Sequence, residues 1–235
     1  MFNGKMKAVT FSYDDGVTQD IRLIEMFNKY GLKATFNINS HRLDRAGQLN
    51  IDGKRIDHNK VSAADVRHIY EGHEIASHTL DHPRLPAIED DREIIRQVEE
   101  DRLRLSELAG YEVTGFAYPC GGVNYDSRVS RLIRENTGIK YCRTIIPNFS
   151  LEPQADLYEF KPTVHHQSHW DEMFAIGEKF INASPDTPQI FYIWGHSYEF
   201  DINGEWERFE EFCRLISGKG DICYGTNKDI LLSNT

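Results

Sequence analysis

The sequence predicts an α/β fold in which a mostly parallel sheet is covered by helices, either open or closed into a barrel. Strand-like and helix-like segments alternate from end to end, and about seven such units suit a barrel-like single domain over residues 1–235. No low-complexity linker or internal repeat interrupts the alternation. The unusual polar residues follow the predicted strand ends, which is where α/β folds build their functional sites.

The opening segment, residues 7–13, is apolar and β-branched and predicts a buried strand. It stops at Asp14 and Asp15, which repel each other and are costly to bury unless a cation or a positive group compensates. Gly16 then allows the sharp turn that exposes both carboxylates at the strand end. On local grounds, the stretch is equally consistent with a strand-to-helix loop in which Asp15 or Thr18 caps the next helix.

The next segments continue the alternation. Apolar residues at helical spacing predict a helix over residues 18–30, and the run KATFNI predicts a strand over 33–38. Residues 40–60 are polar and charged and predict a long loop of the kind that is often functional. Ser62, with an acid three residues later, resembles a capping box that opens a short helix. A brief strand over 73–77 then leads into the sequence HTLDH.

The second half of the chain follows the same pattern. Helices are predicted over 88–109, 125–136 and around 170–182, and strands over 113–118, 140–144, 160–164, 189–194 and 223–224. Asn203 is predicted to cap a last helix, whose apolar face carries Trp206, Phe209, Cys213 and Ile216.

The amino-acid composition disfavours some classes of binding partner. The net charge of −10 disfavours nucleic acids and anionic membrane surfaces, because binding to phosphates depends on clustered Lys and Arg. No apolar run approaches the roughly 20 residues of a membrane helix, and the stretch MFNGKMKAVTF lacks an apolar signal core. We therefore predict a cytoplasmic protein whose four widely spaced cysteines are free thiols. The oligomeric state is not predicted.

Two histidines and the acidic pair form a candidate metal site. His78 and His82 are four residues apart, so on a helical turn both imidazoles would face the same ion. One acid of the pair completes a His-His-Asp set that leaves a coordination position for water, as catalytic zinc sites do. The other acid would act as a general base on that water, and His196, at another strand end, would protonate the leaving group. Together these residues predict hydrolysis of an acyl bond by metal-bound water.

The motifs and their order resemble those of the polysaccharide deacetylase family, carbohydrate esterase family four. Its first motif, TFDDG, corresponds to the sequence SYDDG at residues 12–16. Its second motif, H[S/T]xxH, matches HTLDH at 78–82, and its fifth, a late strand ending in a histidine, resembles IWGH at 193–196. The resemblance spans essentially the whole chain and implies a distorted (β/α) barrel of about seven strands.

The resemblance also implies a role for each matching residue. Asp14 would be the catalytic base, and His196 the general acid. Asp15, His78 and His82 would be the metal ligands.

Two motifs depart from the family pattern. The third, RxPxG, is represented by AYPCG at 117–121, so the arginine that normally positions the base is missing and Asp14 is expected to lack its charge partner. The turn Pro119–Cys120–Gly121 survives, and the resemblance implies that the Cys120 backbone N–H helps to stabilise the oxyanion. Cys120 itself is predicted to be a turn residue rather than a nucleophile, since no base partner for a thiolate is evident.

The fourth motif, DxxDW, keeps Trp170 but has His169 where a carboxylate is expected. That carboxylate usually tunes the acid histidine. Its candidate substitutes are Glu199, Asp201 and Asp171, among which the sequence does not choose.

Several aromatic residues lie near the motifs. We predict a core position for Trp194 and substrate contacts for Trp170 and Tyr198. His165 and His166 are adjacent, and neighbouring residues in a strand point to opposite faces, so at most one is expected to face the site.

These observations favour a metal-dependent deacetylase acting on an N-acetyl or O-acetyl group of a sugar, oligosaccharide or related small amide. Zinc is the favoured divalent metal, with cobalt and nickel as alternatives. A second hypothesis is a carbohydrate-binding or regulatory protein of the same fold with weakened catalysis, motivated by the two altered motifs. A third is an amidohydrolase that acts on a non-sugar amide.

Overall fold

The computed structural model describes residues 2–233. The strands are β1 Lys7–Asp14, β2 Ala34–Ile38, β3 Gln48–Ile51, β4 Lys54–Asp57, β5 Glu74–Ser77, β6 Gly115–Ala117, β7 Tyr141–Arg143, β8 Val164–His165, β9 Gln189–Gly195 and β10 Ile222–Tyr224. The α-helices are α1 Asp20–Tyr30, α2 Val66–Ile69, α3 Asp91–Ala109, α4 Ser127–Asn136, α5 Trp170–Asn182, α6 Glu199–Asn203, α7 Trp206–Ile216 and α8 Asn227–Leu231.

Seven parallel strands lie side by side in the order β7-β6-β5-β2-β1-β9-β8, and β10 also pairs with β1. The sheet curls into a half-barrel, which confirms the predicted distorted (β/α) barrel in one domain. One edge of β1 pairs with β9 along nearly its whole length, while the other is shared between β10 at the start and β2 at the end. β1 is therefore the central strand of the fold.

The packing explains why β1 carries the apolar run. All of its residues are buried, down to Asp14 at its carboxyl end. The Phe11 ring lies 4.8 Å from that of Phe27 on α1 and 6.2 Å from that of Phe209 on α7, as measured between centroids. The helices thus cover one face of the strand and leave its carboxyl end to the site.

Three local predictions are wrong. The predicted loop over 40–60 contains the β3–β4 hairpin and a 3-10 turn at Ser40–Arg42. The Ser62 side chain makes no cap, because its backbone carbonyl closes a 3-10 turn by accepting a hydrogen bond from the Asp65 N–H instead. Asn203 does not start the last helix but ends α6, where Gly204 has the left-handed φ of 68° that terminates a helix.

The predicted strand over 160–164 is shifted, and its sheet pairing begins only at Val164. Phe160 makes an isolated bridge to Arg143, which leaves the two outer strands, β7 and β8, without a continuous ladder. None of the helices in residues 2–233 is both long and apolar enough to cross a membrane. All four cysteines are free thiols.

Lys7, at the start of β1, closes the end of the barrel opposite the site. It is 2% exposed, and its Nζ donates to the carbonyls of Phe180, Ile181 and Ala183 at distances of 2.8–3.1 Å. Those carbonyls lie at the carboxyl end of α5, where helix carbonyls lose their regular donors, and the Phe180 carbonyl also accepts from the Ala183 N–H at 3.3 Å. The ammonium therefore supplies hydrogen bonds to this helix end and complements the helix dipole. Asp221 pairs with the same Nζ at 2.8 Å.

We expect Lys7→Met to lower the free energy of unfolding by about 2–3 kcal/mol, because the buried helix-end carbonyls lose their charged donor. Urea denaturation measures this. The control is Lys33→Met, which removes an exposed hydrogen bond from Nζ to the Gly72 carbonyl and should cost less than about 0.5 kcal/mol. Equal losses in the two variants would contradict the anchoring role of Lys7.

Candidate active site

A cavity of about 260 Å³ opens at the carboxyl ends of the strands. Seven of the residues that line it are those predicted from the motifs, namely Asp14, Asp15, His78, His82, Cys120, Gly121 and His196. The structure therefore brings the predicted base, metal ligands, turn and general acid into one place, although they come from four separate segments of the chain.

Asp14 ends β1 with both carboxylate oxygens engaged. Its Oδ2 accepts from Arg143 Nη2 at 2.5 Å, and its Oδ1 accepts from Asn37 Nδ2 at 2.8 Å. The Arg143 side chain is fully buried, and its guanidinium lies over the Trp194 ring at 4.3 Å. The carboxylate is thereby fixed in one orientation with its charge balanced.

The expectation that Asp14 lacks a charge partner is wrong. Arg143 supplies the guanidinium from β7, the outer strand of the sheet, rather than from the turn at 117–121. The signal was present in the sequence, since an arginine within a short strand between Cys142 and Thr144 requires a buried partner. What the sequence did not show is that β7 curls round to face Asp14.

Asp15 follows at the strand end with a left-handed φ of 86°. Its Oδ2 lies 3.1 Å from His58 Nε2, and its backbone carbonyl accepts from Lys60 Nζ at 2.8 Å. Burial alone raises the pKa of Asp15, but the hydrogen bond from His58 and the charge of Lys60 outweigh it and hold that pKa well below its usual range. Asp15 is therefore ionised. The sequence reasoning missed both of its partners.

His78 and His82 meet through a loop and not through the predicted helical turn. Thr79 and His82 have φ values of 69° and 62°, and this left-handed backbone brings the two rings to 4.9 Å between centroids. Asn39 Nδ2 holds the loop by donating to the carbonyls of His78 and Thr79. The two imidazoles converge as predicted, but for a different reason.

The donor atoms of Asp15, His78 and His82 all lie within 4.8 Å of one another. The Ala117 carbonyl lies 2.8 Å from His78 Nδ1, so this nitrogen carries the proton and Nε2 is left as a ligand atom. Burial lowers the pKa of both histidines, with His78 further lowering that of His82, to about 4. Two neutral imidazoles and one ionised carboxylate are the protonation states that a divalent metal requires, so the set fits such an ion.

His196 follows β9, and its carboxylate partner is Glu199. The His196 Nδ1 lies 3.1 Å from Glu199 Oε1, and its backbone N–H donates to Oε2 at 2.9 Å. Burial lowers the pKa of His196, but the Glu199 charge and hydrogen bond outweigh it and raise that pKa to about 9. Asp201 bonds to Trp206 and Gln19, and Asp171 pairs with Arg208, so neither serves His196.

Strand periodicity predicts that His165 and His166 point to opposite faces, but the structure places both side chains on the same side. Their Nε2 atoms lie 3.3 Å and 3.5 Å from the same Glu199 oxygen, and their rings are stacked. The reason is that β8 ends at His165, so His166 is no longer bound by the alternation of a strand. The Ser168 N–H donates to His165 Nδ1, which leaves the proton on Nε2, facing Glu199.

The turn Pro119–Cys120–Gly121 forms the next part of the wall. Cys120 has a φ of 70°, and its backbone N–H has no acceptor among residues 2–233. Its Sγ lies 3.7 Å from His82 Nδ1, and burial raises the pKa of the thiol, which makes it a weaker nucleophile.

One of the aromatic assignments needs correction. Tyr198 lines the cavity, and Trp194 is buried as expected, at 7% exposure, while also forming part of the cavity wall. Trp170 lies in the hydrophobic core beside Phe200 and Phe209, with no place in the cavity wall, because it begins α5 on the side that packs against α7.

Comparisons with known proteins identify what this chain is similar to in sequence and in fold. The chain matches the family model described as polysaccharide deacetylase over residues 3–142. The comparison with curated proteins gave no match.

Solved structures share the fold at low sequence identity. A family 4 carbohydrate esterase from Streptomyces lividans in complex with acetate is 14% identical, with 94% of this chain and 92% of that chain covered and a TM-score of 0.56. The Bc1960 peptidoglycan N-acetylglucosamine deacetylase is 18% identical, with coverage of 97% and 89% and a TM-score of 0.59. A mutant of BA3943, a CE4 family pseudoenzyme with restored activity, is 15% identical, with coverage of 96% and 68% and a TM-score of 0.59.

The buried ion pair yields a prediction about stability. We expect Arg143→Met to lower the free energy of unfolding by about 3–5 kcal/mol, because it leaves the Asp14 carboxylate buried without its cation. In an Asp14→Asn background the same replacement should cost less, since no buried charge is left uncompensated.

Urea denaturation of the two single variants and the double variant gives the coupling between the residues. Arg134→Met is the control, because its ion pair with Asp156 is half-exposed and should be worth no more than about 1 kcal/mol. Additive losses for Arg143 and Asp14 would show that the two side chains do not interact.

Proposed function

The chain belongs to the polysaccharide deacetylase family of hydrolases, and from this premise we propose that it removes acetyl groups, N-acetyl groups in particular, from a sugar, oligosaccharide or related small amide. The observation that carries the proposal is the arrangement of Asp14, which is held by Arg143 beside the Asp15, His78 and His82 donor set, in the cavity that His196 also lines. This is the geometry that acyl hydrolysis by activated water requires. The proposal retains the predicted cytoplasmic location.

Asp15, His78 and His82 would hold a divalent metal, with zinc favoured and cobalt or nickel as alternatives. Such an ion supplies Lewis-acid chemistry, polarising the acyl oxygen and making water acidic enough to attack near neutral pH. The protein's contribution is to present the three donors in their ligand protonation states before the ion arrives.

Asp14 takes the proton from the attacking water. Arg143 and Asn37 restrict its carboxylate to one orientation, so the acceptor is already positioned when water binds. The backbone N–H of Cys120 then donates to the negative charge that develops on the acyl oxygen.

His196 delivers a proton to the leaving nitrogen. Glu199 accepts from its Nδ1, which leaves Nε2 as the nitrogen that faces the substrate. The raised pKa of about 9 keeps the ring protonated at neutral pH, as a general acid must be. Tyr198 and Trp194 provide the aromatic walls against which a sugar ring can stack.

The alternative of a non-catalytic binding protein was motivated by two missing residues. Arg143 now stands beside Asp14 and Glu199 beside His196, so each missing function has a candidate replacement in space. These replacements favour the hydrolase over the binding protein.

We expect acetate release from N-acetylglucosamine or its oligomers, with loss of activity on chelation of the metal. Asp14→Asn should lower kcat by about 10²–10⁴-fold, because a general base contributes on that scale. A parallel panel of acetylated xylan and simple N-acetyl amides distinguishes sugar from non-sugar substrates. Activity that resists the chelator, or a fully active Asp14→Asn variant, would rule out this mechanism.

Glu199→Gln should shift the alkaline limb of the kcat/KM profile to lower pH by about 1–3 units. Activity needs His196 protonated, and it falls as the pH rises through the pKa of His196. Removal of the carboxylate charge lowers that pKa. Asp201→Asn is the matched control, since Asp201 lies on the same helix and does not contact His196. An unmoved alkaline limb in Glu199→Gln would exclude His196 as the acid tuned by Glu199.

A further inference from the structure

The segment after the β3–β4 hairpin runs back along the turn that carries Asp15. The Thr18 N–H donates to the Asn59 carbonyl at 2.8 Å, and the Val61 N–H donates to the Gly16 carbonyl at 3.0 Å. These bonds place His58 against the Asp15 side chain, so a part of the chain outside every recognised motif reaches the metal donor set.

His58 divides the two oxygens of Asp15 between separate partners. Its Nε2 lies 3.1 Å from Oδ2, whereas Oδ1 lies 3.8 Å from His82 Nε2. Because an ionised carboxylate can only accept, the His58 Nε2 must carry the proton. The hydrogen bond therefore commits Oδ2 to His58 and leaves Oδ1 facing His82.

Lys60 holds the backbone of Asp15, whereas His58 holds its side chain. Its Nζ is buried, donates to the Asp15 carbonyl at 2.8 Å and lies 3.6 Å from Oδ1. Asp15 has a φ of 86°, a conformation that a non-glycine residue keeps only when its surroundings impose it.

The hairpin that delivers His58 is itself anchored. Lys54 Nζ donates to the Ile202 carbonyl at 2.7 Å and lies 3.1 Å from Asn203 Oδ1, at the end of α6. The His58 ring also meets the Tyr198 ring edge-on, with 4.9 Å between centroids. His58 therefore sits on a braced element, as a residue that orients another must.

We propose that His58 is a positioning residue for metal binding, acting through Asp15. The inference rests on the proposed function, because it concerns the ion that this function requires. Partners that orient a ligand in this way contribute about 10–100-fold to metal affinity. A purely structural His58 would affect folding and leave the affinity unchanged.

Two substitutions separate the donor from the ring. His58→Phe keeps an aromatic ring against Tyr198 but has no donor, whereas His58→Gln keeps an N–H donor and loses the ring. We expect His58→Phe to bind Zn²⁺ about 10–100-fold more weakly than the wild type, and His58→Gln to recover most of that loss. The full chain is titrated with Zn²⁺ against a chromogenic chelator, with no substrate present.

Two controls accompany the pair. Arg55→Ala removes a side-chain bond across the hairpin to Gln48 without touching the site, and His68→Ala removes an exposed histidine on α2. Both should bind Zn²⁺ as the wild type does. Thermal unfolding of each metal-free variant shows whether the fold is retained.

Wild-type affinity in His58→Phe, or equal losses in the Phe and Gln variants, would overturn the proposal. A wild type that fails to bind Zn²⁺ would overturn it as well. If His58→Phe weakens Zn²⁺ binding and the wild type releases no acetate from any substrate, the positioning role stands and the proposed deacetylase function fails.

Discussion

The contact between Arg143 and Asp14 is the constraint on which the proposed site depends. In the sheet, β7 and β1 are separated by β6, β5 and β2, so four inter-strand spacings of about 4.8 Å would put them roughly 19 Å apart if the sheet were flat. An arginine and an aspartate side chain cannot bridge that distance. Arg143 Nη2 and Asp14 Oδ2 nevertheless lie 2.5 Å apart. The sheet curls, so its outer strand β7 faces β1 across the interior of the barrel.

Burial makes this contact strong and demanding at the same time. Arg143 Nε and Nη1 have no hydrogen-bond partner among residues 2–233. Within these residues, the guanidinium donates through Nη2, to Asp14. The Trp194 ring beneath the guanidinium offsets part of that cost through a cation–π contact. The base, its cation and an aromatic wall of the cavity thus form one unit, and none of the three can be changed alone.

The fold and most of the site could be predicted from the sequence because their signals are local. Alternating apolar segments indicated the parallel sheet, and DDG, HTLDH and IWGH each place reactive side chains at a strand end. The role of Arg143 could not be predicted from the sequence, because it depends on the curvature of the sheet, which no short segment encodes. The contact of His58 with Asp15 could not be predicted either, because the hairpin that positions His58 lies in a polar stretch whose composition indicates a loop.

Other errors have an equally physical origin. His78 and His82 were placed on a helix because their spacing fits one, yet a left-handed backbone at Thr79 gives the same convergence. Four residues around the cavity adopt this conformation, namely Asp15, Thr79, His82 and Cys120. Each costs of order 1–3 kcal/mol in backbone strain, and Thr79 is β-branched, the kind of residue least suited to it. The protein therefore holds its cavity open against the intrinsic preference of its own chain. The strain that shapes the site therefore lowers the stability of the fold. Selection for a more heat-resistant protein would act first on the loops that carry these four residues.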